Sequence, residues 1–479
     1  MAKRSVSKKR KKRNRKKEAV HTSHATLAAL GPIIAEKKVF SPIHQLVSID
    51  QKTIEYRPTD KLIFATLGFI AGVEAVYEIN TVLRPNVGLL KAFGYEKCAD
   101  FSVIQQTLNA ATLENVTQLQ SALEQIFKAN NLTEALVEQS QEKDSPVTLD
   151  IDLSGQPASA KAQHSTKGYF AKAKNTTGRQ LARVVVAETQ EIVTETLYPG
   201  NRLSMFVLKD QVAKLESRLD LETPALRSRV RLRLDAGFGT DENINYLQRL
   251  CYEILVKVYS WQRSHSLAQS VTTWGRVAKD AENNLREVGW VTTPHRYARK
   301  TRQCAIRTPK KKGGYSYHVL VTSDMSASLE EVIADYDARS GAPESTFCQD
   351  SQGLNLKKRR FHSFVAQQVL ILLSQLAHNL IRWVQSWLQT AVLAPKAYVE
   401  ADTDSATGQM GSKVIKSLKE RGIKRMIRQV LSLDGKVVFK RGKVKQILLN
   451  PLSPLIHRIL TAFRRLLEPL KIQVSLDEI

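Results

Sequence analysis

Val147-Thr148-Leu149-Asp150-Ile151-Asp152-Leu153-Ser154 is an apolar strand with two carboxylates set into it. Its alternation has the two-residue period of a strand, so Asp150 and Asp152 face the same way. A strand with a core-facing side rarely carries aspartate unless the carboxylate is paired, hydrogen-bonded or bound to a cation. A second apolar run, residues 230–235, also ends in aspartate and leads into Ala236-Gly237-Phe238-Gly239-Thr240. A third acid, Glu344, follows Tyr336 and Arg339. Such acids, in a chain of formal net charge +26, point to metal-assisted chemistry on a polyanion.

Around this strand, helix and strand patterns alternate. A Lys-rich connection (Lys161, Lys167, Lys172, Lys174) leads to strands over 181–188 and 191–198, joined at Thr189-Gln190 and closed by Pro199-Gly200. Helix 203–219, strand 230–235, helix 241–250 and strand 252–259 follow. This is an α/β order with a mixed sheet, the order of an RNase H-like domain. Residues 260–330 interrupt it with Trp261, Trp274, Trp290, many basic residues and an alternating strand over 315–322, and read as a β-rich insertion. The tryptophans either form its core or offer a face for an unstacked base. A long helix over 361–388 contains His378-Asn379, read as a hydrogen-bonded core pair. Further on come a hairpin within 430–449, with turns at Asp434-Gly435 and Arg441-Gly442, and a helix over 455–467.

The fold class is therefore α/β: an RNase H-like mixed sheet flanked by helices, interrupted by a β-rich insertion, with an all-α N-terminal DNA-binding domain. The expected division is a basic disordered arm (1–25), a helical DNA-binding domain (26–140) and the first catalytic part (144–259). The insertion (260–330), a second catalytic part with the glutamate and the long helix (331–390), and a basic C-terminal region (391–479) complete it.

A pI near 9.8 favours a polyanionic partner, and nucleic acid is the commonest. Cys98, Cys251, Cys304 and Cys348 lie far apart with no metal-ligand spacing, which argues against a zinc finger or a secreted disulfide framework and for a reducing compartment. Residues 62–79 and 365–383 approach membrane length. Glu74 and Glu78 interrupt the first, and Gln367, Gln368, Gln375, His378 and Arg382 the second, so both read as buried helices and no membrane is expected.

Three sets of residues are candidates for DNA contact. Ser102-Val103-Ile104-Gln105, with Asp100 just before, reads as a capping box opening a short helix over 103–110. Gln105, Gln106 and Asn109 on it match an adenine edge in the major groove, although small packing helices look the same. Arg299, Lys300 and Arg302 in the insertion, and Lys357, Lys358, Arg359 and Arg360 beyond the glutamate, are candidates for phosphate contact. So are Lys413, Lys416, Lys419, Arg421, Lys424, Arg425 and Arg428, although helical spacing spreads these over more than one face.

Three stretches resemble the DDE transposases of bacterial insertion sequences, in particular the branch with a β-rich insertion between the second aspartate and the glutamate. Residues 149–154 resemble the first-strand Asp-x-[Ser/Thr], and Arg233-Leu234-Asp235-Ala236-Gly237-Phe238 the second aspartate with its small-residue turn. Tyr336, Arg339 and Glu344 resemble the Tyr-x2-Arg-x3-Glu-x6-Lys signature, with four residues between Arg339 and Glu344 and with Ser351 at the lysine position. The resemblance implies that Asp152, Asp235 and Glu344 hold two Mg²⁺ or Mn²⁺ ions, that Asp150 supports Asp152, and that Tyr336 and Arg339 contact phosphate or orient Glu344. It implies an enzyme that cuts double-stranded DNA at the element's terminal inverted repeats and joins the 3′-hydroxyl to target DNA. It also implies a homodimer in the DNA complex and a cytoplasmic, nucleoid-associated location in a bacterium. The alternatives are a catalytically impaired DNA-binding protein derived from a transposase, and an RNase H-like nuclease.

Overall fold

The computed structural model describes residues 18–52, 55–143, 145–170, 176–277, 285–339, 343–393, 418, 421–452 and 456–477. Strand β1 (Glu18–Thr22) lies near the start of the chain. The opening motif forms β2 (Val147–Pro157), and β3 (Thr166–Lys167), β4 (Thr177–Val186) and β5 (Ile192–Pro199) follow. Next are β6 (Val230–Leu234), β7 (Glu253–Lys257), β8 (Gly275–Val277), β9 (Arg286–Trp290), β10 (Arg302–Pro309) and β11 (Tyr315–Thr322). These ten described strands make one sheet, in the order β3-β4-β2-β6-β7-β11-β10-β9-β8, with β5 paired to β4. β2, β6 and β7 are mutually parallel, β4 joins β2 and β11 joins β7 antiparallel, and β5 is antiparallel to β4.

The region read as an insertion is therefore continuous with the central sheet. β11 pairs directly with β7, Val321 opposite Val256, and carries β10, β9 and β8 outward. Its tryptophans do not share one core. Trp261 opens the helix Trp261–Ala268 and is 72% exposed. Trp290 packs with Leu255, Cys304 and Leu320 beneath Arg302, whose guanidinium lies 3.6 Å from the ring centroid. Trp274 is half-buried against the main apolar core.

The helix Phe364–Leu393 is the spine, packing against Pro58–Ile70, Leu113–Asn130, Ile456–Leu467 and β5. Its span Phe364–Ala391 is the one described stretch long and apolar enough to cross a membrane, and 89% of its most apolar window is buried inside the protein. Its polar residues have a specific task. β5 ends its branch of the sheet, and an unpaired edge buried under a helix needs other partners. Gln368 accepts from Leu197 N, Gln375 donates to Ile192 O and Val193 O, and Asn379 both accepts from Ile192 N and donates to Ile192 O.

The chain's two ends meet in a second sheet. β1 pairs with β12 (Gly435–Lys440), followed by β13 (Lys443–Leu449) and β14 (Gln473–Leu476). Residues 18–22, read from sequence as part of the arm, are a strand because Val20 finds Val437 across the ladder. Asp434-Gly435 makes no hairpin turn. Arg441-Gly442 alone does, with both φ angles positive (57° and 73°), as a tight two-residue connection requires. The helix expected over 103–110 starts at Phe101, and Asp100 rather than Ser102 caps it, its side chain accepting from Ser102 N at 2.9 Å. Asp100 wins because its carboxylate reaches the first free amides without leaving extended backbone.

Candidate active site

The registers of three parallel strands bring distant acids together. Ile151 stands opposite Leu234, and Leu234 opposite Val256. One residue further along come Asp152, where the β2–β6 pairing stops midway along β2, Asp235, just past the end of β6, and Lys257, the last residue of β7, side by side. Neighbouring strands are about 4.8 Å apart and laterally paired side chains share a face, so the two carboxylates converge. The row continues on the other side: Arg183 on β4 faces Asp152, and Glu195 on β5 faces Arg183.

Each acid meets a different environment. Asp150 is fully buried and held by Arg233 through two bonds, Nε to Oδ1 at 2.6 Å and the terminal nitrogen to Oδ2 at 2.7 Å. Burial pushes its pKa up while Arg233 pulls it down. Asp152 is partly exposed and accepts from Arg339 at 3.1 Å. Asp235 is closed in: among the described residues its Oδ1 is buried with no hydrogen-bond partner. Burial raises the Asp235 pKa, against the pull of Arg339 and of the Gly237 and Phe238 amides. The Ala236-Gly237-Phe238-Gly239 turn is pressed against β7, where a Cβ on Gly239 would sit 1.9 Å from the Lys257 carbonyl oxygen.

Arg339 closes the helix Leu329–Ala338 and also donates to Ile151 O at 3.4 Å. Burial alone would lower its pKa, but Asp152 and Asp235 raise it, so it stays a cation between the two acids. Tyr336 packs at the margin of the cluster of Leu255, Leu320 and Val332, and burial raises its phenol pKa.

Glu344 is the second residue of the helix Pro343–Gly353, and its side chain lies outside the described residues. That helix packs against β2 and β4. Asp350 receives Arg183 at 2.7 Å and His378 Nδ1 at 2.7 Å, while His378 Nε2 meets Gln190 O at 2.8 Å. Phe347 lies 4.2 Å from the Arg183 guanidinium and packs with Leu181, Leu197 and Ile371. Arg183, Glu195 and Lys257 are not legible from sequence, since a charged residue in a strand reads as surface until the register is known, and neither is Asp350, an acid in a polar helix.

Among the described residues no three His, Cys, Asp or Glu side chains form a metal-holding group. The donor set nevertheless suits a hard divalent cation: two carboxylates from adjacent strands, one with an unpartnered oxygen. Residues 17–405 match the family model described as transposase DDE domain group 1. The chain belongs to this family. Among solved structures, it is similar to the piggyBac transposase synaptic complex with hairpin DNA, determined by cryo-EM, at 11% identity and a TM-score of 0.37, covering 84% of this chain and 87% of that one. No curated protein matches it.

The remaining expected contacts of this transposase fall in three groups. Gln105, Gln106 and Asn109 are exposed on the helix Phe101–Ala110, whose other face buries Ile104, Thr107 and Leu108. Arg299 and Lys300 are exposed, whereas Arg302 is bound to the Ala327 and Met325 carbonyls and covers Trp290. Lys357, Lys358 and Arg360 are exposed, but Arg359 is buried. It donates to Val73 O and Glu74 O and lies over the Phe69 ring, so it ties the sheet region to the N-terminal helices instead of facing solvent. Of the second basic set, Lys413, Lys416 and Lys419 lie outside the described residues, and Lys424, Arg425 and Arg428 are on the short helical stretch after Gly422.

Proposed function

We propose that this chain is the transposase of a bacterial insertion sequence, acting on double-stranded DNA at the element's terminal inverted repeats. The reading takes β2, β4–β7 and the helices between them as an RNase H-like catalytic fold, and the helices of 26–140 as the DNA-end reader, with Gln105, Gln106 and Asn109 toward the groove. One observation carries it: Asp152 and Asp235 stand side by side where the parallel pairing of β2 and β6 stops, and among the described residues an Asp235 oxygen is left without a partner.

In this reading Asp152, Asp235 and Glu344 hold two Mg²⁺ or Mn²⁺ ions. When bound, such ions neutralise charge on the phosphate and raise the nucleophilicity of the attacking oxygen. The protein's own part is placement. The parallel strands fix the aspartates, and the Asp350–Arg183 and Asp350–His378 contacts fix the helix that carries Glu344. Arg339, a cation beside both aspartates, offsets their charge in free enzyme and turns toward the phosphate when DNA arrives. Asp150, occupied by Arg233, supports the strand rather than the reaction. Water then cuts the strand in line at each end, and the freed 3′-hydroxyl attacks target DNA by a second in-line displacement, with no protein-bound covalent intermediate. Two copies of the chain synapse the two ends, on DNA in the bacterial cytoplasm.

The test uses duplexes copied from the inverted repeats flanking the coding region. Wild-type protein with Mg²⁺ is expected to cut at the repeat boundary. Asp152→Ala is expected to bind the same duplex and leave it intact. Cleavage by Asp152→Ala, with end binding lost, would reject the assignment. Binding by wild type without Mg²⁺- or Mn²⁺-dependent cutting would favour the catalytically impaired DNA-binding reading, which the Ser351 position and the longer Arg339–Glu344 spacing support.

A further inference from the structure

We propose that Lys257 is a phosphate-contacting residue of the active site, placing its ammonium on a non-bridging oxygen of the DNA phosphate at which the strand is cut. The inference rests on the transposase reading and adds a residue to it.

Three observations carry it. First, the β6–β7 register sets Lys257 directly beside Asp235, on the side away from Asp152 and on the same face of the sheet. Any phosphate that reaches both aspartates therefore passes within the span of this side chain. Second, its backbone is fixed as firmly as that of the aspartates: Gly239 abuts its carbonyl, Tyr259 N donates to Gly239 O at 2.9 Å, and Val258 N to Val319 O at 2.9 Å. Third, its charge is unused. Among the described residues this half-buried lysine makes no hydrogen bond or ion pair. A lysine drawn partly out of water without a partner costs free energy, and a bound anion offsets that cost. Arg339, the other cation of the site, is already bonded to Asp152.

The experiment compares wild type, Lys257→Gln and Lys257→Arg on duplexes copied from the repeats flanking the gene. Cleavage with Mg²⁺ is followed in single turnover. Binding is measured with Ca²⁺, on normal duplex and on duplex with an uncharged methylphosphonate at the cut phosphate. Lys257→Gln should cut about 100-fold more slowly, the usual loss for one charge-stabilising donor, while Lys257→Arg stays within about tenfold of wild type. The methylphosphonate should weaken wild-type binding about tenfold, as for one charged contact, and leave Lys257→Gln binding nearly unchanged. A merely structural lysine would not show that coupling. Lys257→Gln is expected to unfold at or above the wild-type temperature, because a poorly solvated charge is removed. Should wild type fail to cut in Mg²⁺, the transposase reading falls. Should wild type and Lys257→Gln cut equally fast, or lose equal affinity on the methylphosphonate, the Lys257 assignment falls alone.

Discussion

One lateral row of the central sheet holds two charge clusters that differ in kind. On the β4–β5 side, Arg183 joins Glu195 at 2.5 Å and Asp350 at 2.7 Å, and Asp350 joins His378, all four within 3% exposure. On the β2–β6–β7 side, Asp152 and Asp235 share Arg339, one aspartate oxygen has no partner, and Lys257 has no ion pair among the described residues. In the first, closed cluster the charges are paired with one another and lock the helix Pro343–Gly353 onto the sheet, although Arg183 Nη1 and Glu195 Oε2 are buried without a hydrogen-bond partner among the described residues. The second is open: among the described residues an Asp235 oxygen has no hydrogen-bond partner and Lys257 has no ion pair. Charged residues in a sheet therefore carry no functional meaning by type. What separates scaffold from site is whether the local charges are paired within the fold.

The largest expected effect lies in the open cluster. Asp152→Ala should lower the cleavage rate about 10⁴-fold, the scale for removing a member of a catalytic unit, while gel-shift affinity for the repeats stays within a few-fold. A comparable loss of affinity would place Asp152 in DNA binding instead.

The closed cluster should respond in stability. Arg183→Met leaves Glu195 and Asp350 buried without their shared cation and should cost about 3–5 kcal/mol in urea unfolding. Adding Glu195→Gln should recover part of that loss. Unchanged stability in Arg183→Met would show that this side is open too.

A finer test uses pH. Burial pushes the Glu195 pKa from 4.5 up to about 7, against the pull of Arg183. The unfolded chain then loses this proton first, so the Glu195 contribution to stability declines as pH rises from about 4.5 to about 7. His378 acts in the opposite sense: burial lowers its pKa, so its contribution is lost as pH falls below 6.5. Burial alone would raise the Asp350 pKa, but His378 and Arg183 pull it down, so its contribution is lost only below pH 3.8. Melting temperatures across pH 4–8 should therefore lose their alkaline-side decline in Glu195→Gln and keep the acid-side loss. An identical profile in wild type and variant would remove Glu195 from the buried cluster.

The smallest effect returns to the open side. Burial raises the Asp235 carboxyl pKa, so ionising it at neutral pH opposes folding. Asp235→Asn should melt slightly higher than wild type at pH 7, with the gain vanishing below pH 3.8, the ordinary value. A lower melting temperature would mean that the carboxylate is part of the scaffold.

Much of this was legible in the sequence, because it depends on local pattern. The strand bearing Asp150 and Asp152, the turn after Asp235, the Arg441-Gly442 hairpin and the His378-Asn379 core pair follow from periodicity, turn chemistry and the rule that buried polar groups need partners. What stayed hidden depends on register between distant segments. Nothing local shows that β1 pairs with a strand more than 400 residues later, with Val20 opposite Val437. A lysine ending a strand reads as solvated surface, so Lys257 gained meaning only when β7 was set against β6. Trp261 shows the reverse error: a large aromatic reads as core, yet as the first residue of a helix it points outward. Arg359, in a run of four basic residues, is the one drawn inside, because it donates to the Val73 and Glu74 carbonyls in the turn after the helix Pro58–Ile70.

The central claim, that Asp152, Asp235 and Glu344 meet at one divalent-ion site, is tested most directly by loading the protein with Fe²⁺ and letting ascorbate and peroxide cleave the backbone near the bound metal. Cuts are expected at three separate places, next to residues 152, 235 and 344, and excess Mg²⁺ should suppress all of them together. Cuts confined to the two aspartate strands, with none near residue 344, would contradict the account.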